Sequence, residues 1–278
     1  MRGRVLASAV LLALGSACAP MASQRAGTDL AGTDLAELTW YEAEKILGPE
    51  TVVVIPLGAA AKEHGPHLRL DNDFTLAQYF RARVLAEADV AMLPTVPYHY
   101  YPSFVEYPGS TTLRLETARD MIVDIVRSIA AHGPRRFYVL NTGVSTNKAL
   151  APAAEVLARE GVLLRYTNLL ELVEPVEREI AEQPWGTHAD EIETSMILYI
   201  APDRVDMLEA VKDTEPDGEL PGLSRDPNTK QTYSKTGVWG DATLATRDKG
   251  KRVVEAIVAG MLADIEALRV AELPSAEP

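Results

Sequence analysis

A chain of 278 residues, 47% hydrophobic and 24% charged, is long enough for one large domain with a substantial core. Its formal charge of −13, without a basic cluster, argues against a nucleic-acid partner. The single cysteine excludes a disulfide within one chain, so an exported domain of this sequence has to rest on its core.

The N-terminus reads as an export signal. Arg2 and Arg4 precede an apolar run, Val5 to Leu14, and Gly15-Ser16-Ala17 lead to Cys18. The run is too short to span a membrane permanently, and its flanks fit a cleavable signal peptide over residues 1–17. The lone cysteine after small residues predicts lipidation at Cys18, giving a periplasmic or membrane-anchored lipoprotein; ordinary cleavage nearby is the alternative. Residues 18–38 carry a near-tandem repeat, Ala26-Gly-Thr-Asp-Leu30 and Ala31-Gly-Thr-Asp-Leu35, and read as a flexible tether. The folded domain is expected over residues 39–270, opening with an amphipathic helix capped by Thr39, and 271–278 form a tail.

Val52 to Ile55 is an unbroken β-branched run, the pattern of a strand buried on both faces. After Pro56 and Gly58, the residues Glu63, His64, His67, Asp71 and Asp73 crowd together before helical periodicity resumes at Phe74. Open α/β sheets bind ligands at such a place, between the end of a strand and the start of a helix. Carboxylates with imidazoles are the usual donors for zinc, manganese or iron. A simple helix-capping role for Asp71 or Asp73 is the alternative.

Further strands are predicted over 90–96, 136–140 and 162–166, and further helices over 74–88, 116–131 and 149–159. The alternation predicts an α/β fold, a doubly wound, mostly parallel sheet with helices on both faces. An aromatic loop, Pro97-Tyr-His-Tyr-Tyr-Pro-Ser103, and the loop Asn141-Thr-Gly-Val-Ser-Thr-Asn147 then emerge on the same sheet edge as the Glu63–Asp73 cluster. Residues 203–235 are polar and rich in Asp, Pro and Gly, a surface excursion or a lid. Lys249 to Leu268 form a closing amphipathic helix.

Several segments, in order, resemble the creatininase family of metal-dependent amidohydrolases. Gly58 to Asp73, with His64-Gly-Pro-His-Leu68 and an Asp nine residues after His64, resembles the first family signature. Tyr107-Pro-Gly-Ser-Thr-Thr112, Gly186-Thr-His-Ala-Asp-Glu-Ile-Glu-Thr-Ser195 and Gly237-Val-Trp-Gly-Asp-Ala-Thr243 resemble later ones. Two departures stand out. Lys62 occupies the usual place of the first acid, with Glu63 next to it, and the loop 141–147 lacks the family's ligand histidine, having Gly143, Val144 and Ser145 there instead.

The resemblance implies a creatininase-like hydrolase of an amide-type C–N bond in a small cyclic amide or formamide. By it, Glu63, His64, Asp73 and Glu193 hold a divalent metal (zinc, manganese or iron), and the missing loop histidine predicts one ion per subunit. His188 moves a proton and Glu193 completes the catalytic set. Tyr98, His99, Tyr101 and Ser145 line the substrate pocket, and the protein is a homo-oligomer. For Glu193 a capping box with Asp190 is the alternative. Two rival functions stay open at this stage: a serine hydrolase using Ser145 in a half-matched nucleophile elbow, and an exported non-catalytic binding protein with a degraded metal site.

Overall fold

The computed structural model describes residues 30–213 and 220–277. The expected signal peptide, Cys18 and the tether up to residue 29 lie outside them. Among the described residues no helix is long and apolar enough to cross a membrane.

The elements follow as β1 (Thr33–Asp34), α1 (Trp40–Ile46), β2 (Val52–Leu57), α2 (Asn72–Glu87), β3 (Ala91–Met92), α3 (Leu115–Ala130), β4 (Arg136–Asn141), α4 (Asn147–Ala158) and β5 (Leu163–Tyr166). After them come α5 (Leu169–Ile180), α6 (Glu191–Ile200), β6 (Lys212–Asp213), β7 (Leu220–Ser224), β8 (Gln231–Tyr233), β9 (Gly240–Asp241) and α7 (Arg247–Arg269). The main sheet has the order β1-β3-β2-β4-β5, and all its pairings are parallel.

The β-branched run dictates the two layers. Successive side chains of a strand alternate between faces, so Val52 and Val54 join Tyr138 and Leu140 in a core under α2, α6 and α7. Val53, Ile55 and Leu57 join Phe137 and Val139 in a second core under α3 and α4. Both faces are covered, which is the expected doubly wound α/β arrangement. Strand β2 runs through Pro56 to Leu57 instead of stopping at the proline, paired throughout with β4.

One sequence expectation is corrected here, and one helix is added. The end of the supposed tether is part of the sheet: the Gly32 and Thr33 amides donate to the Leu85 and Val90 carbonyls, and Arg81 pairs with Asp34. Backbone bonds hold this edge strand, so no apolar pattern announces it. Helix α5 lies in a stretch with no assigned element. Within 203–235, β6 pairs with β9 and β7 with β8, and Leu223 is buried, so the described part of this segment is structured cover over the sheet edge.

Candidate active site

The turn after β2 is pinned on both sides. Lys62 N donates to Leu70 O, Thr111 N to Ala61 O, and Glu63 N to Ser110 Oγ. The Tyr107–Thr112 segment thus clamps the turn, and the two neighbouring side chains diverge. Lys62 points into the site, with Nζ 2.6 Å from Asp73 Oδ2. Glu63 points away, accepting from Gly65 N and packing against Gly237, whose φ of +85° and lack of a side chain leave room for the carboxylate.

Asp73 is not a cap. It is fully buried in the first turn of α2 and directed at Lys62 and His64. Asp71, the residue before the helix, makes no side-chain capping bond and pairs with Arg204. The Thr142 hydroxyl lies within hydrogen-bonding distance of the Asp73 and Leu57 carbonyls, fixing the start of α2 against the end of β2.

His64 Nδ1 faces the Lys62 carbonyl at 2.9 Å, which can only accept, so this nitrogen carries a proton. Its Nε2 faces Asp73 Oδ1 at 2.8 Å and Glu193 Oε1 at 3.3 Å. A lone pair aimed at two carboxylate oxygens is tolerable only with a cation between them. In this structure a proton meets the need: burial and the Lys62 ammonium push the imidazole down, but Asp73 and Glu193 outweigh them and raise it to about 9. Burial also pushes Glu193 and Asp73 up, yet the surrounding positive charge, from His64, His188 and Lys62 on Glu193 and from Lys62 and His64 on Asp73, holds both carboxyls below their ordinary range.

Glu193 resolves the capping-box alternative by doing something else. Asp190 does cap α6, accepting from Ile192 and Glu193 amides. The Glu193 carboxylate turns instead to the Ala189 amide at 2.7 Å, to His64, and to His188 Nδ1 at 3.6 Å. Ala189 takes φ +48°, a left-handed conformation that is costly for a residue with a Cβ. His188 sits opposite Trp239 in an antiparallel bridge, so the Gly237–Thr243 segment closes the site from that side. His188 Nε2 lies 3.0 Å from the Glu63 carbonyl and 3.2 Å from its carboxylate.

One donor atom each from His64, His188 and Glu193 lie within 4.8 Å of one another. Ligands around a tetrahedral ion at about 2.0–2.1 Å stand roughly 3.3 Å apart. The 3.3 Å from His64 Nε2 to Glu193 Oε1 matches that, while the 2.8 Å to Asp73 Oδ1 is a hydrogen-bond distance; the grouped imidazole and carboxylate donors fit a divalent ion. Glu63, expected as a ligand, is turned behind His188 by the pinned turn, and Lys62 takes the inward place.

A cavity of about 380 Å³ opens above these groups. Lys62, His188 and Glu193 form its polar floor, and Phe104, Leu223 and Trp239 are among its apolar walls. Of the expected substrate residues, Ser145 lines this cavity, with its hydroxyl donated to the Tyr100 carbonyl. That bond leaves it unpaired with any imidazole, contrary to a nucleophile elbow. Tyr98 is exposed outside the cavity, and Tyr101 is buried under Lys62. His99 is buried facing the Ala118 carbonyl. Phe104, one residue past the aromatic loop, is the wall residue the sequence did not single out; its ring lies 4.3 Å from that of His188 and 4.8 Å from Lys62 Nζ.

Burial pushes His99 down to about 4, below its unfolded value near 6.5. The native state then binds fewer protons than the unfolded chain across that window. His99 stability is therefore complete above pH 6.5 and lost as pH falls toward 4, by up to roughly 3 kcal/mol. Urea unfolding against pH is expected to show this acid limb, and His99→Asn to shrink it. An unchanged limb in the variant assigns the acid loss to another group.

Buried carboxylates and imidazoles gathered past the carboxyl end of β2, under a cavity, mark the candidate active site of this α/β fold. A profile of the creatininase family, described as creatinine amidohydrolase, matches residues 36–265. The chain belongs to the creatininase family and is an amidohydrolase. It is 27% identical over 244 residues to the creatinine amidohydrolase of Pseudomonas putida, covering 81% of this chain and 93% of the relative. It is 29% identical over 221 residues to the mycofactocin precursor peptide peptidase of Mycolicibacterium smegmatis, covering 75% of this chain and 82% of that protein. A solved structure described as creatininase Mn superposes with a TM-score of 0.72 at 25% identity, covering 85% of this chain and 99% of that one.

Proposed function

We propose that the protein hydrolyses an amide-type C–N bond in a small substrate, a cyclic amide or a formamide, using one divalent ion held by His64, Asp73 and Glu193. The observation that carries this is the His64 imidazole, tied through Nδ1 to a backbone carbonyl while Nε2 faces two carboxylate oxygens. A metal-bound histidine is commonly oriented in this way. A divalent ion bound there supplies Lewis acidity to a carbonyl and to a water. The manganese named for the creatininase structure supports manganese, and imidazole with carboxylate donors suits zinc or iron as well.

The chain's own residues do the rest. The apolar walls exclude water from the floor and accept the apolar part of a substrate. Lys62 and Glu193 present charge to the reacting group. His188, oriented by Glu63 as a base is oriented by a third group, passes a proton to the leaving nitrogen. The leader sequence further supports an exported protein anchored at Cys18, and a homo-oligomeric assembly is part of the same proposal.

The test combines metal analysis with turnover of creatinine, other cyclic amides, formamides and short peptides. Chelation is expected to abolish hydrolysis and re-addition of manganese or zinc to restore it. His188→Gln is expected to keep the ion and lose about 10²–10⁴ in kcat. Activity that survives complete metal removal sinks the proposal. Loss of the ion from His188→Gln makes His188 a ligand in place of a proton carrier.

A further inference from the structure

Asp73 serves two cation positions with its two oxygens: Oδ1 faces His64 Nε2 at 2.8 Å, and Oδ2 faces Lys62 Nζ at 2.6 Å. The Lys62 side chain is only 7% exposed and yet reaches the cavity floor. Its ammonium lies 4.8 Å from the centre of the Phe104 ring and 5.8 Å from that of Tyr101. Aromatic faces stabilise a compact monovalent cation but supply no ligand to complete the shell of a divalent one.

We infer that the Lys62 ammonium is a resident second cation of this centre, standing where a second divalent ion would need to bind, so that the chain takes a single exchangeable metal. The inference rests on the metal reading given above. Three carboxylates surround the centre, Asp73 and Glu193 at His64 Nε2 and Glu63 behind His188, and an ion bound at His64 Nε2 takes the place of the proton there. One ammonium and one divalent ion balance them. A second divalent ion beside the ammonium leaves excess positive charge in a nearly dry site, which is strongly unfavourable. The floor then carries a fixed and an exchangeable positive charge, both available to the negative charge that develops on an amide carbonyl oxygen.

A mere brace for Asp73 and a resident cation make opposite predictions. Removing a brace loosens the ligand and weakens metal binding. Removing a cation relieves its repulsion of the incoming ion and tightens binding. The experiment titrates zinc and manganese into metal-free wild type, Lys62→Gln and Lys62→Glu, with stoichiometry checked by elemental analysis.

Wild type is expected to take about one ion per chain, Lys62→Gln about one with affinity roughly tenfold higher or more, and Lys62→Glu about two. Lys62→Gln changes no shape at the turn and keeps the test open if Lys62→Glu does not fold. Two tightly held ions in wild type, one in Lys62→Glu, or weaker binding by Lys62→Gln each overturn the inference. Wild type with no ion at all sinks the metal proposal instead. In that case uptake of an ion by Lys62→Glu alone still supports the role of Lys62, and no uptake by either overturns both.

Discussion

Asp73→Ala is expected to strip the centre of metal and lower hydrolysis by at least about a thousandfold, while the domain stays folded. Among the described residues Asp73 is the one carboxylate paired with both Lys62 and His64. Its removal leaves the Lys62 ammonium buried with one partner fewer. Breaking a buried pair from one side costs about 3–5 kcal/mol. At roughly 2–4 °C per kcal/mol for a domain of this size, the melting temperature drops by on the order of 10 °C. Elemental analysis of the purified variant and a thermal melt are sufficient measurements. Full metal occupancy in Asp73→Ala contradicts the ligand set, and a melt equal to wild type contradicts the buried pair.

The fold was legible where burial imposes a pattern. Val52 to Ile55 lies in a strand covered on both faces, and its composition says so. The closing helix shows Val253, Ile257, Met261 and Ile265 at helical spacing, and all four are buried in α7. Strand β1 was hidden because its two residues, Thr33 and Asp34, contribute backbone bonds and no apolar periodicity. Helix α5 did carry a signal, since Leu169, Leu172, Val173, Val176 and Ile180 stand at helical spacing against the core; only Pro175, inside the helix, argues against it.

The site was legible as a set of residue types more than as a set of directions. His64, Asp73, His188 and Glu193 converge as the motif spacing implies. Which of Lys62 and Glu63 faces inward is decided by hydrogen bonds from Leu70, Ser110 and Thr111, residues far along the chain that no local pattern reveals. The same limit applies to the aromatic loop. Tyr98, His99 and Tyr101 have the chemistry of pocket residues, but the path of the loop exposes the first and buries the others, and Phe104 becomes the wall. The loop 141–147, without a histidine, is held by its own asparagine: Asn141 bonds Gly143, Thr146 and Asn147. Its one contribution to the metal end of the site is the Thr142 hydroxyl beside the Asp73 carbonyl.

Gly250→Ala is expected to damage stability and metal affinity together, although residue 250 touches no candidate ligand. A Cβ at this position meets the Ser195 carbonyl oxygen at 1.8 Å and its carbon at 2.4 Å, so α7 and α6 have to part. The obstacle is backbone and cannot rotate away. The same junction carries the Ser195 hydroxyl, which accepts from Thr246 N and donates to Glu191 O, and the Lys249 ion pair with buried Glu191. Separating the helices strains the two contacts that cross between them, Thr246 to Ser195 and Lys249 to Glu191, and Glu193 sits in the first turn of α6. Overpacking of this kind costs about 1–3 kcal/mol, and the weakened buried ion pair adds to it. A fall in melting temperature of on the order of 10 °C follows, with a several-fold loss in zinc or manganese affinity. Gly260→Ala is the matched control, because its Cβ meets the far end of the Leu172 side chain, which can turn aside. If Gly250→Ala melts and binds metal as Gly260→Ala does, the α6–α7 contact does not position Glu193, and the placement of that carboxylate rests on the Ala189 turn alone.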